Sequence, residues 1–206
     1  MLGNAHAFRH IGNVMVTEIE ESNMAGWLDT KYGSRRGFVL SKWHQLLYYL
    51  GRYHKFEVPL DSIERLVFVC SGNICRSAFA EAVAKSLGMD AISVGVHAIE
   101  GASANSQAIS TAHEMGYDLT SHRTTPVMYP IFKKTDLLIA MEPWQAVLVR
   151  DNLAIRHHTT LLGMWAKPIR PHIDDPYQRS EIYFKNCFNY IEKSVHAIAN
   201  KIRKSN

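Results

Sequence analysis

The chain has 206 residues, of which 47% are hydrophobic and 20% are charged, and its formal net charge is +4. This length suits one well-buried domain with an appendage and is too short for two ordinary domains. The small positive charge favours anionic partners without demanding nucleic acid, and the C-terminal two thirds of the chain lack long Lys/Arg blocks with interleaved aromatic residues.

Residues 1–64 are predicted to form an N-terminal extension that contains a basic amphipathic helix. Residues 31–55 hold six Lys/Arg and no Asp/Glu, and apolar residues recur there at helical spacing, namely Val39, Trp43, Leu46, Leu47 and Leu50. One interpretation packs this stripe on the rest of the protein or on a second copy. The other lays residues 35–55, including Arg35 and Arg36, on an anionic membrane surface. Both a monomer and an oligomer are compatible with the pattern.

The segment that begins the chain has no apolar core typical of a signal peptide, and no stretch approaches eighteen consecutive apolar residues. We therefore expect a cytoplasmic protein, peripheral to the inner membrane if the second interpretation of the extension holds. Three cysteines do not form the disulfide framework of a secreted domain, and a close pair in a reducing compartment is typically catalytic or redox-sensing.

Residues 65–206 alternate short apolar runs with amphipathic stretches of about ten residues, which is typical of repeated βαβ units. The predicted strands are 65–69, 91–96, 136–141 and 159–162, and the predicted helices are 77–87, 106–115, 143–152 and 181–202. Ser77 is a candidate cap of the first of these helices. The last helix carries one apolar face, formed by Phe184, Phe188, Ile191, Val195, Ile198 and Ile202. These elements predict an α/β fold with a doubly wound, four-stranded parallel sheet flanked by helices.

The segment VFVCSGNICRS, residues 67–77, places a polar loop between the first strand and the following helix. Backbone N–H groups of residues 71–76 and the helix N-terminus can hold an anion there, and Arg76 adds a fork that matches two phosphate oxygens. The same positive groups are expected to lower the thiol pKa of Cys70 at the base of the loop. Gly72 and Asn73 tolerate a left-handed backbone, and the Ser77 hydroxyl can bond the Cys70 sulfur. The loop predicts a cysteine nucleophile facing a bound phosphate.

Two simpler explanations of the cysteines remain open at this stage. Cys70 and Cys75 are spaced within the range of zinc ligands, but a closed zinc site needs two further ligands, and only Cys187 and scattered histidines are available. Ordinary buried cysteines after a core strand are the other explanation, which the glycine, arginine and serine at these offsets disfavour. We expect neither a metal nor a cofactor.

The segment HIDDPYQRS, residues 172–180, offers an acid for the leaving group of a phosphate monoester. Asp174 and Asp175 supply the carboxyl groups, Pro176 fixes the turn, and Tyr177 provides an aromatic wall. On its own, Asp-Pro-Tyr is also typical of a surface turn.

Taken together, VFVCSGNICRS, ISVGVHAIEG, LTSHR, DLLIAMEPWQ and DDPYQRS resemble, in order and spacing, the low-molecular-weight protein tyrosine phosphatases. The resemblance implies that Cys70 is the nucleophile that becomes phosphocysteine, Arg76 the phosphate clamp, Ser77 the hydroxyl that tunes the thiolate, and Asp175 the general acid and later base. It implies that Ser93 and His122 support the loop, and that Cys75 can trap oxidised Cys70 as a reversible disulfide. The predicted substrate-binding residues are Ser71, Gly72, Asn73, Ile74, Cys75, Ile99 and Tyr177.

The loop SVGVHAIEG and the segment LLGMWAKPIRPHIDDPY are similar to those of phosphatases from bacterial capsule and exopolysaccharide loci. This resemblance implies a phosphotyrosine protein substrate, namely a membrane tyrosine kinase of polysaccharide export. Two rival functions use the same loop: an arsenate reductase, which would need two resolving cysteines where only Cys187 follows Cys75, and a phosphotyrosine-binding module without turnover, which would be expected to lose Cys70, Arg76 or Asp175.

Overall fold

The computed structural model describes residues 26–128, 132–152 and 158–205. The first 25 residues of the predicted extension lie outside this range. Within it, four parallel strands form one sheet in the order β2-β1-β3-β4, with β1 Arg65–Cys70, β2 Asp90–Gly95, β3 Asp136–Ala140 and β4 His158–Leu161. The predicted four-stranded parallel sheet is confirmed, with strand ends within one residue of those expected.

Helices cover both faces of the sheet, which is why its central strands are apolar on both sides. The helices that follow the strands are α2 Arg76–Ser86, α3 Ser106–Glu114, α4 Pro143–Asn152 and α5 Glu181–Ser205. Leu66 and Phe68 of β1 point into a core shared with α2, α3 and α5, whereas Val67 and Val69 point into a second core shared with α4. The predicted apolar face of the last helix is confirmed, because all six of its residues are buried.

The N-terminal segment, residues 26–64, packs against this body through a helix whose inner face is small and polar. Residues 26–32 are helical, α1 spans Arg35–Tyr49, and a short 3-10 turn covers His54–Phe56. Ser34 caps α1, with its Oγ accepting the Gly37 N–H at 2.9 Å. Gly37 and Ser41 are buried on the inner face, and Tyr53 and Phe56 join the core beneath α4.

The apolar stripe of α1 mostly faces outward. Val39, Trp43, Leu46 and Leu50 are 62%, 54%, 49% and 64% exposed, and within the stripe only Leu47 packs on the core. The interpretation that packs the stripe on the rest of the chain is therefore wrong for these four residues, whereas a second copy and a membrane surface stay predictions. The physical reason is that the inner face uses small residues, which let the helix backbone approach the body closely. None of the helices in the described ranges is both long and apolar enough to span a bilayer.

Candidate active site

The loop of residues 71–75 lies at the carboxyl end of β1, in the centre of the sheet, where open α/β sheets bind ligands. The carbonyl groups of Cys70, Ser71 and Ile74 accept bonds of 2.9–3.0 Å from backbone N–H groups of neighbouring loops, those of Val96, His97 and Asn105. These bonds turn the carbonyl groups toward the surrounding loops. That arrangement supports a role for the N–H groups of residues 71–76 as anion ligands.

Asn73 braces the loop from beneath and does not line the cavity described below, contrary to its prediction as a substrate-binding residue. It is fully buried and has φ of 56°, a left-handed conformation that asparagine tolerates. Its Nδ2 donates to Ser77 Oγ at 2.9 Å and to Ser93 Oγ at 2.7 Å, and its Oδ1 accepts the Thr125 N–H at 2.8 Å. His122 Nε2 donates to the Asn73 carbonyl at 2.8 Å. Ser93 and His122 thus contact the loop where support was predicted.

The Cys70 sulfur sits at the base of the loop with two polar groups on it. Ser77 Oγ lies 3.0 Å from Sγ, and the Asn73 N–H donates to Sγ at 3.2 Å. Both groups can stabilise a thiolate. The predicted capping role of Ser77 is wrong: α2 begins at Arg76 with Cys75 as its N-cap residue and no side-chain cap bond. Ser77 lies inside the first turn, where its hydroxyl contacts the Cys70 sulfur and the Asn73 amide.

The other two cysteines are buried in surroundings that disfavour a thiolate. Burial raises the pKa of Cys75, and it raises the pKa of Cys187 to about 12, against partial compensation by Arg76. The Cys70 sulfur lies beside the Ser77 hydroxyl and the Asn73 N–H, so the geometry favours Cys70 as the nucleophile. Among the described residues, no three His, Cys, Asp or Glu side chains converge as the ligands of a metal ion would.

Arg76 is buried, with 1% of its surface exposed, and is held by three groups. Its Nη1 donates to Glu142 Oε1 and to the Ile173 carbonyl, both at 2.7 Å, and its Nη2 pairs with Asp175 Oδ2 at 2.8 Å. Burial disfavours the charged guanidinium, but Asp175 and Glu142 outweigh this and raise the pKa of Arg76. Its Nε has no hydrogen-bond partner among the described residues, so a buried donor remains for an incoming anion.

The two adjacent aspartates point to different environments. Asp175 reaches Arg76, accepts the Tyr177 N–H at 3.2 Å through Oδ1, and has a side chain that is 44% exposed. Asp174 is turned toward the N-terminal segment, with Oδ1 3.5 Å from His172 Nε2 and a side chain that is 19% exposed. Only Asp175 is placed to meet a substrate.

A cavity of about 140 Å³ joins these groups. It is lined by Cys70, Ser71, Gly72, Ile74, Cys75, Arg76, Asp175 and Tyr177. The structure therefore brings together the predicted nucleophile, phosphate clamp and acid, with most of the predicted substrate-binding residues. Ile99, predicted to bind substrate, does not line this cavity and is 80% exposed. The resemblance located it on the loop after β2, but that loop turns its side chain to solvent.

Two residues beside Arg76 escaped the sequence analysis. Glu142 follows β3 and accepts bonds from Arg76 and from Gln145 Nε2, the latter at 3.0 Å. His172 is buried, with Nδ1 3.7 Å from Glu142 Oε2. The sequence signal for Glu142 was its position just after a predicted strand, since ligands bind at the carboxyl ends of parallel strands. The structure adds that β1 and β3 are neighbours, which brings Glu142 to Arg76.

The comparisons with known proteins give the same assignment over residues 65–206. That range matches the family model described as low molecular weight phosphotyrosine protein phosphatase. A relative from Erwinia amylovora, AmsI, named a probable low molecular weight protein-tyrosine-phosphatase, is 30% identical over 69% of this chain and 99% of its own length. Etp of Escherichia coli K12, named a low molecular weight protein-tyrosine-phosphatase, is 28% identical over 68% of this chain and 95% of its own.

Solved structures agree with the sequence matches. The crystal structure of the AmsI tyrosine phosphatase superimposes with a TM-score of 0.62 at 30% identity, covering 68% of this chain and 93% of that one. The tyrosine phosphatase Wzb of Escherichia coli K30, in complex with sulphate, gives a TM-score of 0.58 at 30% identity over 68% of this chain and 98% of its own. The family model leaves residues 1–64 of this chain unmatched.

Proposed function

Since the chain belongs to the low molecular weight protein tyrosine phosphatase family, we propose that it hydrolyses phosphotyrosine through a phosphocysteine formed at Cys70. The observation that carries this mechanism is that the Cys70 sulfur, the Arg76 guanidinium and the Asp175 carboxyl group line one cavity. Their roles are nucleophile, phosphate clamp and acid–base group. No metal or cofactor enters the mechanism.

In the first step, the Cys70 thiolate attacks phosphorus while the bond from phosphorus to the phenol oxygen breaks. Arg76 and the loop N–H groups bind the three equatorial phosphate oxygens, where negative charge is spread in the transition state. In the free protein Asp175 pairs with Arg76. When a phosphate monoanion takes over that guanidinium nitrogen, the Asp175 carboxylate loses its cationic partner and takes up the proton that the monoanion brings. The resulting carboxylic acid then donates this proton to the leaving phenol oxygen.

In the second step, the Asp175 carboxylate accepts a proton from a water molecule whose oxygen attacks phosphorus. The bond from sulfur to phosphorus breaks, inorganic phosphate forms, and Cys70 leaves as a thiolate. The Ser77 hydroxyl, 3.0 Å from the sulfur, stabilises that leaving thiolate by donating a hydrogen bond. The same hydroxyl and the Asn73 N–H therefore serve the nucleophile in both steps.

The cavity walls suit an aromatic phosphate ester. Ile74 and Tyr177 line the cavity, and Tyr177 is 46% exposed. A phenyl ring stacked against these side chains buries apolar surface and holds the phosphate above the sulfur at the base of the cavity. A short serine phosphate would gain neither contact. This supports phosphotyrosine as the preferred substrate.

Turnover and trapping together test this function. Wild type should hydrolyse p-nitrophenyl phosphate and phosphotyrosine peptides faster than phosphoserine peptides, and Cys70→Ser should abolish all turnover while keeping the fold. Asp175→Ala should retain bound phosphotyrosine peptide. Appreciable activity in purified Cys70→Ser would contradict the covalent mechanism. Binding of phosphotyrosine without turnover in wild type would instead indicate a binding module, and thiol-dependent reduction of arsenate would indicate a reductase.

We also propose a cytoplasmic phosphatase that acts on a tyrosine kinase of bacterial polysaccharide export and touches the inner membrane through α1. The outward face of α1 combines four exposed apolar side chains with exposed Arg35, Arg36 and Lys42. Residues 31–55 contain no acidic side chain to repel anionic lipid. Apolar insertion and about 1 kcal/mol per basic residue near such a surface support peripheral binding.

Vesicle binding tests the membrane contact. The full chain should co-sediment with phosphatidylglycerol-rich vesicles at low salt and poorly with phosphatidylcholine vesicles, and Trp43→Ser with Leu46→Ser should abolish binding. Hydrolysis of p-nitrophenyl phosphate should be unchanged in this double variant. If the chain ignores vesicles and the double variant converts a dimer into a monomer, the face is an interface between copies and the membrane contact is wrong.

A further inference from the structure

We infer that the N-terminal segment is a built-in positioning element for the acid loop, which we define as residues 169–177. This inference rests on the proposed role of Asp175 as general acid. The segment lies outside the range matched by the family model, yet α1 and the residues before it contact the stretch that leads directly into Asp175. The N-terminal segment thus helps to set the position of the general acid in this chain.

Two side chains of α1 hold the start of the acid loop. Gln45 Nε2 donates to the Ile169 carbonyl at 2.9 Å. The His44 ring stacks on the buried His172 ring, with centroids 5.3 Å apart and an angle of 18° between the planes. His44 is itself fixed from behind by a hydrogen bond with the Tyr53 hydroxyl. The stacking of half-buried His44 on buried His172, together with the bond to the Ile169 carbonyl, leaves this part of the loop few alternative positions.

The backbone of α1 lies directly against Asp174. A Cβ added to Gly37 would sit 2.8 Å from Asp174 Oδ2 and 2.1 Å from the Tyr32 carbonyl, so no larger residue fits there. Gly37 is in the first turn of α1, where the partial positive charge of a helix N-terminus favours a carboxylate. Asp174 is therefore drawn toward the N-terminal segment while its neighbour Asp175 faces the cavity.

The residues before α1 complete the contact through α5. Asn186 Nδ2 donates to the Thr30 carbonyl at 2.8 Å, and the Tyr183 ring packs on Gly33, where an added Cβ would lie 2.6 Å from Cε1. The Tyr183 hydroxyl donates to the Asp174 carbonyl at 3.2 Å. The backbone immediately before Asp175 is thus fixed by α5, and α5 is in turn covered by the N-terminal segment.

These contacts predict a specific kinetic defect when they are weakened. The loop of residues 71–75 is braced independently by Asn73, Ser93 and His122, so the nucleophile should be preserved. Arg76 is bonded to the Ile173 carbonyl of the acid loop, but Glu142 also holds it from outside that loop, so most of the anion binding should be preserved as well. Proton donation by Asp175 should suffer, because a misplacement of about 1 Å in a catalytic group can cost on the order of 100-fold in rate. His44 and Gln45 are positioning residues in this sense, since neither lines the cavity.

The test compares substrates that differ in their need for an acid, using the full chain. Wild type, His44→Ala, Gln45→Ala and the double variant are assayed for kcat/KM with phenyl phosphate, whose leaving group requires protonation, and with 2,4-dinitrophenyl phosphate, whose leaving group does not. Tyr49→Ala, exposed on the same helix, is the matched control. We expect the double variant to lose about 10- to 100-fold with phenyl phosphate and less than about 2-fold with the dinitro ester.

Inhibition by inorganic phosphate should change much less in the double variant than kcat/KM for phenyl phosphate does. His44→Phe, which keeps a stacked ring, should recover most of the activity lost in His44→Ala. Equal losses with both esters, or no loss with either in variants that remain folded by circular dichroism, would overturn the inference. Asp175→Asn, assayed with the same two esters, tests the proposed acid separately from the positioning role of His44 and Gln45. If Asp175→Asn loses as much activity with the dinitro ester as with phenyl phosphate, the proposed acid is wrong. If Asp175→Asn loses more with phenyl phosphate but the His44 and Gln45 variants do not, only the positioning role is wrong.

Discussion

The contrast between Asp175→Asn and Asp174→Asn is the sharpest test of the catalytic arrangement. Asparagine keeps the size of the Asp175 side chain and the acceptor for the Tyr177 N–H, but its amide cannot transfer a proton to the leaving group as a carboxylic acid does. Loss of one acid–base group lowers the rate by about 100- to 10,000-fold, which corresponds to about 2.7–5.4 kcal/mol of transition-state stabilisation. We expect a fall in kcat of this size for Asp175→Asn.

Asp174→Asn should act mainly on stability. Its carboxylate faces His172 and the first turn of α1, away from the cavity, so the charge removed is worth about 0.3–1 kcal/mol of helix stabilisation. Its kcat should fall much less than that of Asp175→Asn. The assay is steady-state hydrolysis of p-nitrophenyl phosphate as a function of pH. The part of the wild-type pH–rate profile that follows ionisation of the general acid should disappear in Asp175→Asn and remain in Asp174→Asn. The reverse ranking would refute the assignment of the acid.

Three further predictions follow from the site and its surroundings. Arg76→Lys should lower kcat by about 100- to 1,000-fold and weaken inhibition by inorganic phosphate, because a point charge cannot replace a two-pronged donor; unchanged phosphate inhibition would contradict the clamp. Mild peroxide should inactivate wild type reversibly through a Cys70–Cys75 disulfide and inactivate Cys75→Ser irreversibly, as measured by recovery with thiol reductant; equal recovery would show that Cys75 gives no protection. Burial chiefly, with help from His172, lowers the pKa of His44 from 6.5 to about 4, so between these values the unfolded chain binds a proton that the folded chain does not. The free energy of unfolding should therefore fall as pH drops from 6.5 toward 4, and His44→Gln should flatten that dependence in urea titrations; an identical slope in the variant would count against it.

The sequence by itself predicted those strands, helices and loops that a pattern within a few neighbouring residues specifies. The four apolar runs predict buried parallel strands because such strands are covered on both faces, and the structure confirms them. The apolar face from Phe184 to Ile202 is confirmed because a period of 3.6 residues fixes which side of a long helix meets the core. The segment from Cys70 to Ser77 also predicts its chemistry locally, since a strand, a short loop and a helix N-terminus create an anion site within a few residues.

Other features depended on how distant segments meet. Glu142 lies beside Arg76 because β1 and β3 are neighbours in the sheet, and no local pattern states that adjacency. Asn73 has the residue type of a loop that binds substrate, but its amide bonds Ser93 and the Thr125 N–H from segments far along the chain, which places it beneath the loop.

The orientation of α1 was likewise decided only in three dimensions. Its periodicity predicted that Trp43 and Leu46 share one apolar face, which could pack on the body, on a second copy or on a membrane. The structure packs a different face on the body, the one with Gly37 and Ser41. Helical periodicity identifies which residues share a face, but the shape of the opposing surface decides which face packs. Here the acid loop lies so close to α1 that only a glycine fits opposite Asp174, and the larger apolar side chains are left on the outside.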